Sequence, residues 1–140
     1  MLFLSPKLID HMENKIKRIF IADDDEAIVD ATSLMLEVSG YDVAFTFNGG
    51  EVVKALEQRK PDLLLLDIWM SGIDGRNVCR DIKANPITKD IPVLMISASR
   101  DIKDSALQSG ADDFVAKPFD MKVLIEKIER LTCKEENFLN

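Results

Sequence analysis

The sequence lacks the cysteine and histidine clusters that build zinc sites and disulfide frameworks, and it lacks the long apolar run of a membrane span. It contains two cysteines in 140 residues, Cys79 and Cys133, with no further metal ligand at a useful spacing. This pattern favours free thiols in a reducing cytosol over a zinc site or a disulfide. No apolar run approaches the roughly 18 residues of a membrane span, and the short stretch at 1–4 has no basic residues before it. We therefore expect a cytoplasmic protein with no membrane partner.

Basic residues are also too few for a nucleic-acid-binding protein. The 18 lysines and arginines are outnumbered by 25 acidic residues, which gives a formal net charge of −7. Such a charge argues against binding to nucleic acid or to anionic membrane surfaces, so the expected partners are proteins. The length suits one domain with a real core.

Short apolar runs alternate with amphipathic stretches from residue 15 onward. This alternation is typical of βα units and a parallel sheet, hence of the α/β class. We expect an N-terminal extension over 1–14, the domain over 15–132 and a tail over 133–140. The helix predicted over 101–109 has few apolar anchors, so it should be the least firmly packed. Five strands are predicted, at 16–22, 41–47, 63–66, 93–96 and 113–116.

Charged residues stand where three of these strands end. Asp23 and Asp24 follow the first apolar run, Asp67 follows four leucines, and Lys117 follows the last strand. Parallel strands bring their carboxyl ends to one edge of the sheet, where open α/β folds place their sites. Carboxylates crowded there repel one another unless a cation joins them. The pattern therefore predicts a hard metal ion and, because of the lysine, an anionic ligand such as a phosphoryl group.

Each of these residues also has a purely structural interpretation. The acids from Asp23 to Asp25 could cap the helix that follows them, since aspartate satisfies free backbone N–H groups at a helix start. Lys117 could be an exposed lysine at a strand end, and Ser97, after the fourth strand, could be a turn residue. Their joint position at strand ends favours a shared site.

Four segments carry a resemblance to a known family. IFIADDDE at 19–26, LLLLDIWMSGIDG at 63–75, VLMISA at 93–98 and GADDFVAKPF at 110–119 resemble the signature blocks of two-component response regulator receiver domains. The similarity runs from about residue 15 to about residue 131. It implies a flavodoxin-like, doubly wound (βα)5 three-layer sandwich whose parallel sheet has strand order 2-1-3-4-5.

The resemblance also implies roles for the residues at the strand ends. Asp67 would be the phosphoacceptor, taking a phosphoryl group from a histidine kinase or a histidine phosphotransfer protein. Asp23 and Asp24, with Asp67 and the backbone carbonyl of Trp69, would hold Mg²⁺. Lys117 would pair with the phosphoryl oxygens. The chain would not be an enzyme in the usual sense, since it would catalyse only its own aspartyl phosphorylation and dephosphorylation.

Further positions match the switch machinery of the family or depart from it. The hydroxyl of Ser97 would bind the phosphoryl group once it arrives, and Phe114 would then turn inward. Pro118 would follow Lys117 through a cis peptide bond. Ser71 stands where the family commonly has proline, which predicts a more flexible loop after the phosphoacceptor.

Several alternative functional hypotheses remain to be compared with the receiver domain. A phosphatase of the haloacid dehalogenase type needs a second acid two residues after its nucleophile, where this chain has Trp69. A flavin-binding module of similar topology is also disfavoured, because the acids after the first strand would repel the phosphate of the flavin. The stronger alternative is a receiver-like module that binds partners without phosphorylation. Little chain follows Leu131, so we expect a stand-alone, chemotaxis-type regulator, monomeric or weakly dimeric, acting on an unknown protein target.

Overall fold

A computed structural model describes residues 16–133, so the predicted extension at 1–14 and, apart from Cys133, the predicted tail at 133–140 lie outside the described residues. The strands of the main sheet are β1 Arg18–Ala22, β2 Asp42–Thr46, β3 Leu63–Asp67, β4 Val93–Ser97 and β5 Asp113–Ala116. The helices are α1 Glu26–Val38, α2 Val52–Gln58, α3 Gly75–Ala84, α4 Lys103–Gln108 and α5 Met121–Thr132. Short 3-10 turns at Gly49–Glu51 and Arg100–Ile102 lead into α2 and α4.

The sheet is parallel throughout, with strand order β2-β1-β3-β4-β5. This confirms the predicted order 2-1-3-4-5 and the flavodoxin-like α/β class. The order changes direction next to β1 and β3, and ligands of open α/β sheets bind at the carboxyl ends of strands around such a point. The topology alone therefore places the carboxyl ends of β1 and β3 next to each other.

The four leucines of β3 are buried because helices cover both faces of the sheet. Leu63 and Leu65 pack with residues of α1 and α5, while Leu64 and Leu66 pack with residues of α2, α3 and α4. Side chains alternate between the two faces of a strand, so only a strand covered on both sides can be apolar at every position. The unbroken leucine run is thus the sequence signature of a three-layer sandwich.

Local signals set the ends of α1 as the sequence indicates. The carboxylate of Asp25 accepts a hydrogen bond from Ile28 N–H and caps the first turn. Gly40, with φ of 98°, ends the helical segment in a conformation that glycine adopts without strain. The capping interpretation of the acidic run is therefore right for Asp25.

The helix expected to be least firmly packed has one buried residue, Ala106. Leu107, another apolar residue of this helix, is 37% exposed. The preceding turn is 3-10 rather than α-helical, so the helix is shorter than predicted. Within the described part of the chain, no helix has both the length and the apolar character to cross a bilayer.

The segment predicted to be a loop after β3 contains a small hairpin. Trp69–Met70 pairs antiparallel with Ile73–Asp74, and Ser71 and Gly72 form the turn between them. Strands of two residues are too short to show a hydrophobic period, which is why the sequence did not reveal them. The hairpin connects β3 directly to α3.

Candidate functional site

Strand register brings the predicted site residues to one edge of the sheet. Ala22 of β1 is level with Leu66 of β3, and Ser97 of β4 is level with Ala116 of β5. The residues that follow or end these strands therefore meet in one pocket. Asp23, Asp67 and Lys117 lie together there, and Ser97 ends the neighbouring strand β4.

Three carboxylates converge in this pocket. Asp23, Asp24 and Asp67 each offer an oxygen, and these oxygens all lie within 4.8 Å of one another. Asp23 and Asp67 are buried, whereas Asp24 is exposed at the mouth of the pocket. Convergent carboxylate oxygens are the donors that hard divalent cations prefer, so the residues present fit Mg²⁺.

Lys117 joins two of the acids. Its Nζ donates a hydrogen bond of 2.8 Å to Asp23 Oδ2 and lies 3.6 Å from Asp67 Oδ2. The side chain is 15% exposed, so its charge is screened less by water than that of a surface lysine. The other oxygen of Asp23, Oδ1, accepts the backbone N–H of Asp25 at 3.0 Å. Asp23 is thereby fixed from both sides.

The environment makes ionisation of Asp67 difficult. Burial, followed by the negative charge of Asp23, raises the pKa of Asp67 from 3.8 to about 7, although Lys117 acts in the opposite direction. Burial alone would lower the pKa of Lys117. The hydrogen bond to Asp23 and the charges of Asp67 and Asp23 outweigh that effect and keep the pKa of Lys117 above its ordinary value. The pocket therefore holds more negative charge than its single lysine compensates.

Gly75 allows α3 to start against the end of β3. Its N–H donates to the Ile68 carbonyl at 2.6 Å, and a Cβ placed on Gly75 would collide with the Asp67 carbonyl and lie 2.9 Å from Ile68 Cα. Any larger residue would push the backbone of Asp67 away. This glycine thus sets the position of the buried carboxylate.

Ser97 and Phe114 lie on the neighbouring strands. Ser97 is buried at the end of β4, where its Oγ accepts the backbone N–H of Ser99 at 3.0 Å. Phe114 is 7% exposed and belongs to the core cluster on the α2, α3 and α4 face. The ring that the sequence expected to turn inward on phosphorylation is already buried in this structure.

The structure adds residues that the sequence analysis did not assign. Ser71, expected to loosen its loop, instead donates two hydrogen bonds to Asp24. Arg76 binds Asp74 through paired hydrogen bonds and also donates to Ser105 Oγ at 3.0 Å. The pairing with Arg76 lowers the pKa of Asp74. The Ser-Gly dipeptide at 71–72 is a turn signal that could have indicated the hairpin.

Two further predictions concern backbone groups. The peptide bond between Lys117 and Pro118 is cis, as predicted. The role of the Trp69 carbonyl as a metal ligand stays a prediction. The Trp69 side chain is 59% exposed and lies outside the buried part of the pocket.

An apolar groove of about 340 Å³ adjoins Lys117 on the outer side of the site. It runs between α1 and the connection from β5 to α5. The residues that line it are Ile28, Ala31, Thr32, Met35, Lys117, Pro118, Phe119 and Met121.

Comparison with known proteins agrees with this arrangement of acids and lysine on a parallel sheet. The family described as response regulator receiver domain matches residues 19–129. The chain belongs to this family. Receiver domains are components of two-component signalling and are phosphorylated by histidine kinases.

Two curated relatives are similar to most of this chain. The DNA-binding dual master transcriptional regulator RpaA of Synechocystis is 40% identical over 116 residues, which are 81% of this chain and 48% of RpaA. The alkaline phosphatase synthesis transcriptional regulatory protein PhoP of Bacillus subtilis is 34% identical over 122 residues, 86% of this chain and 50% of PhoP. This receiver chain thus spans about half the length of these curated relatives.

Solved structures with similar receiver folds match most of both chains. A CheY-like response regulator receiver domain protein from Methanospirillum hungatei is 30% identical with a TM-score of 0.79, covering 88% of this chain and 98% of that one. The receiver domain of NtrX from Brucella abortus is 33% identical with a TM-score of 0.76, covering 84% and 99%.

Proposed function

We propose that this receiver domain accepts a phosphoryl group on Asp67 from a histidine kinase or histidine phosphotransfer protein and thereby changes its affinity for a protein partner. The observation that carries the proposal is the position of Asp67. Its carboxylate is buried beside two further acids, with the ammonium of Lys117 at 3.6 Å. This combination suits an anionic nucleophile that must receive another anion.

Transfer would be a displacement at phosphorus. An oxygen of ionised Asp67 forms the new O–P bond, and the P–N bond to the donor imidazole breaks with its electron pair going to the nitrogen. Phosphoryl transfer depends mostly on positioning and on neutralising charge, so the protein needs to supply little covalent chemistry. Bound Mg²⁺, held by Asp23, Asp24 and Asp67, would supply that neutralisation.

Lys117 would stabilise the phosphorylated state. Its Nζ already lies between Asp23 and Asp67 and does not have to be drawn out of solvent to reach an anion there. Preorganised charge of this kind lowers the free energy of the charged product without further rearrangement. The Ser97 hydroxyl, at the same edge, is the donor that we propose for a phosphoryl oxygen.

Switching would follow from these new contacts. A phosphoryl group gives Ser97 and Lys117 an additional partner, and Ser97 pairs in register with Ala116 on the strand that carries Phe114. Because Phe114 is already buried, phosphorylation would select an arrangement that the unmodified chain can adopt rather than create a new one.

Intact-mass measurement after incubation with acetyl phosphate and Mg²⁺ tests the proposal. We expect one phosphoryl adduct on the native chain and none on Asp67→Asn. Asp81→Asn, which changes an exposed acid on α3, is the matched control and should keep the adduct. A native chain without adduct, or an adduct retained by Asp67→Asn, would contradict the proposal and favour a receiver-like module that binds partners without phosphorylation.

A further inference from the structure

Ser71 adopts a backbone conformation that needs an explanation. Its φ is 47°, and among residues 16–133 it is the single non-glycine residue with a positive φ. Gly72, the next residue, has φ of 83°. Positive φ at both central residues is the geometry of the tight two-residue hairpin turn, which favours Asn, Asp or Gly in the first position. Serine there has to be held by other contacts.

The contacts that hold Ser71 come from Asp24. The Ser71 N–H donates to Asp24 Oδ2 at 2.8 Å, and the Ser71 hydroxyl donates to the same oxygen at 3.1 Å. Hydrogen bonds to a carboxylate are stronger than those between neutral groups. Asp24 thereby compensates for the unfavourable conformation of Ser71, and Ser71 in turn fixes one oxygen of Asp24.

Asp24 is the acid of the pocket that most needs to be fixed. Asp23 is buried and has partners on both oxygens, and Asp67 is buried at the end of β3. Asp24 is exposed on the connection between β1 and α1, where a free side chain samples several rotamers. Two donors on Oδ2 reduce that freedom and leave Oδ1 for a cation.

We propose that Ser71 is a positioning residue for the metal site, which holds the carboxylate of Asp24 through two hydrogen bonds so that it can bind a divalent cation together with Asp23 and Asp67. The proposal rests on the proposed function. It assigns a role to the position at which this chain departs from the common proline. Proline has no N–H and a φ near −65°, so it could form neither the hydrogen bonds nor the turn seen here.

Titration with MgCl₂ tests the proposal in the full chain. The signal is the fluorescence of Trp69, which is the one tryptophan of the sequence and lies two residues after Asp67. The metal-dependent rise in the thermal unfolding midpoint gives a second reading of the same affinity. Neither measurement requires phosphorylation.

Two variants separate the two hydrogen bonds. Ser71→Gly keeps the N–H and tolerates the positive φ but removes the hydroxyl, whereas Ser71→Pro removes both donors and the turn conformation. Loss of groups that orient metal ligands weakens metal binding by about 10-fold or more. We expect a weakening of that size for Ser71→Pro and a smaller one for Ser71→Gly. Ser39→Ala, which removes an exposed hydroxyl bonded to its own helix, is the matched control and should bind Mg²⁺ as the native chain does.

The outcomes distinguish this proposal from the one on which it rests. Native affinity in both variants, with a normal adduct on the native chain, would overturn the role of Ser71 alone. Tighter binding by either variant would mean that Ser71 holds Asp24 away from the ion, and would overturn it too. Absence of both Mg²⁺ binding and adduct in the native chain would overturn both proposals. Urea unfolding in EDTA reports whether each variant is folded, and Ser71→Gly decides the case should Ser71→Pro unfold.

Discussion

At the scale of the residue, Asp67 links stability to pH. Its pKa is about 3.8 without burial and about 7 in the folded chain, because burial and Asp23 disfavour the charged form. A carboxyl group whose pKa is raised on folding stabilises the folded state below the lower value. That contribution is lost as the pH rises through the higher value. The metal-free domain should therefore lose stability between about pH 4 and pH 7 on account of Asp67.

The substitution Asp67→Asn tests this linkage. Asparagine cannot ionise, so the variant should be more stable than the native chain, and its advantage should grow from pH 4 to pH 7, the interval set by the two pKa values. Urea unfolding in EDTA at several pH values measures the difference. Mg²⁺ should reduce it, because the cation stabilises the native carboxylate. A difference that does not vary with pH would show that Asp67 ionises as readily in the folded chain as in the unfolded one.

At the scale of the element, the hairpin and the start of α3 support the site through hydrogen bonds. The hairpin is tied to Asp24 through Ser71 and to α3 through the pairing of Asp74 with Arg76. Arg76 also reaches Ser105 on α4, the helix with a single buried residue. Contacts therefore run from Asp24 in the pocket, through the hairpin and Arg76, to α4, the most weakly packed helix of the domain.

Gly75→Ala should damage this support. The added methyl group collides with backbone atoms of Asp67 and Ile68, which cannot rotate away as a side chain could. Overpacking of this kind destabilises by about 1–3 kcal/mol, and it should also slow phosphorylation by displacing Asp67. Urea unfolding and the rate of adduct formation measure the two effects. Gly50→Ala, where the nearest atom belongs to the Asn48 side chain at 3.3 Å, should change both less. Equal effects of the two substitutions would contradict the close approach at Gly75.

At the scale of the whole molecule, stability depends on a sheet covered on both faces. Leu65 is fully buried in the cluster formed with α1 and α5, so Leu65→Ala should destabilise the domain by about 2–5 kcal/mol. Leu34 on α1 is 62% exposed, and Leu34→Ala should change the free energy of unfolding by about 0.5 kcal/mol or less. Urea unfolding of the two variants compares them. A similar loss of unfolding free energy in both variants would show that the contribution of a leucine to stability does not follow its burial.

The sequence predicts most of this architecture because apolar runs and glycines act locally. The five strands follow from the apolar runs and their order follows from the family resemblance, and the structure confirms both. The positions of Asp23, Asp67, Ser97 and Lys117 at strand ends also follow from the sequence, whereas their roles stay predictions. The hairpin was not predicted: the Ser-Gly dipeptide at 71–72 indicates a turn, but the strands of two residues show no hydrophobic period, and the conformation of Ser71 depends on an acid 47 positions away in the chain. The hydrogen bond between Lys117 and Asp23 was not predicted either, because the family resemblance paired the lysine with the incoming phosphoryl group rather than with a resident acid.

The span of chain that closes the pocket has a consequence during synthesis. Lys117 binds an aspartate 94 residues earlier, and β5 is the last strand of the sheet. A nascent polypeptide on the ribosome thus displays its acids long before the ammonium group that balances them has emerged. Until then it lacks the assembled pocket, so an unfinished or truncated copy should not accept a phosphoryl group or compete with the complete domain for its partner.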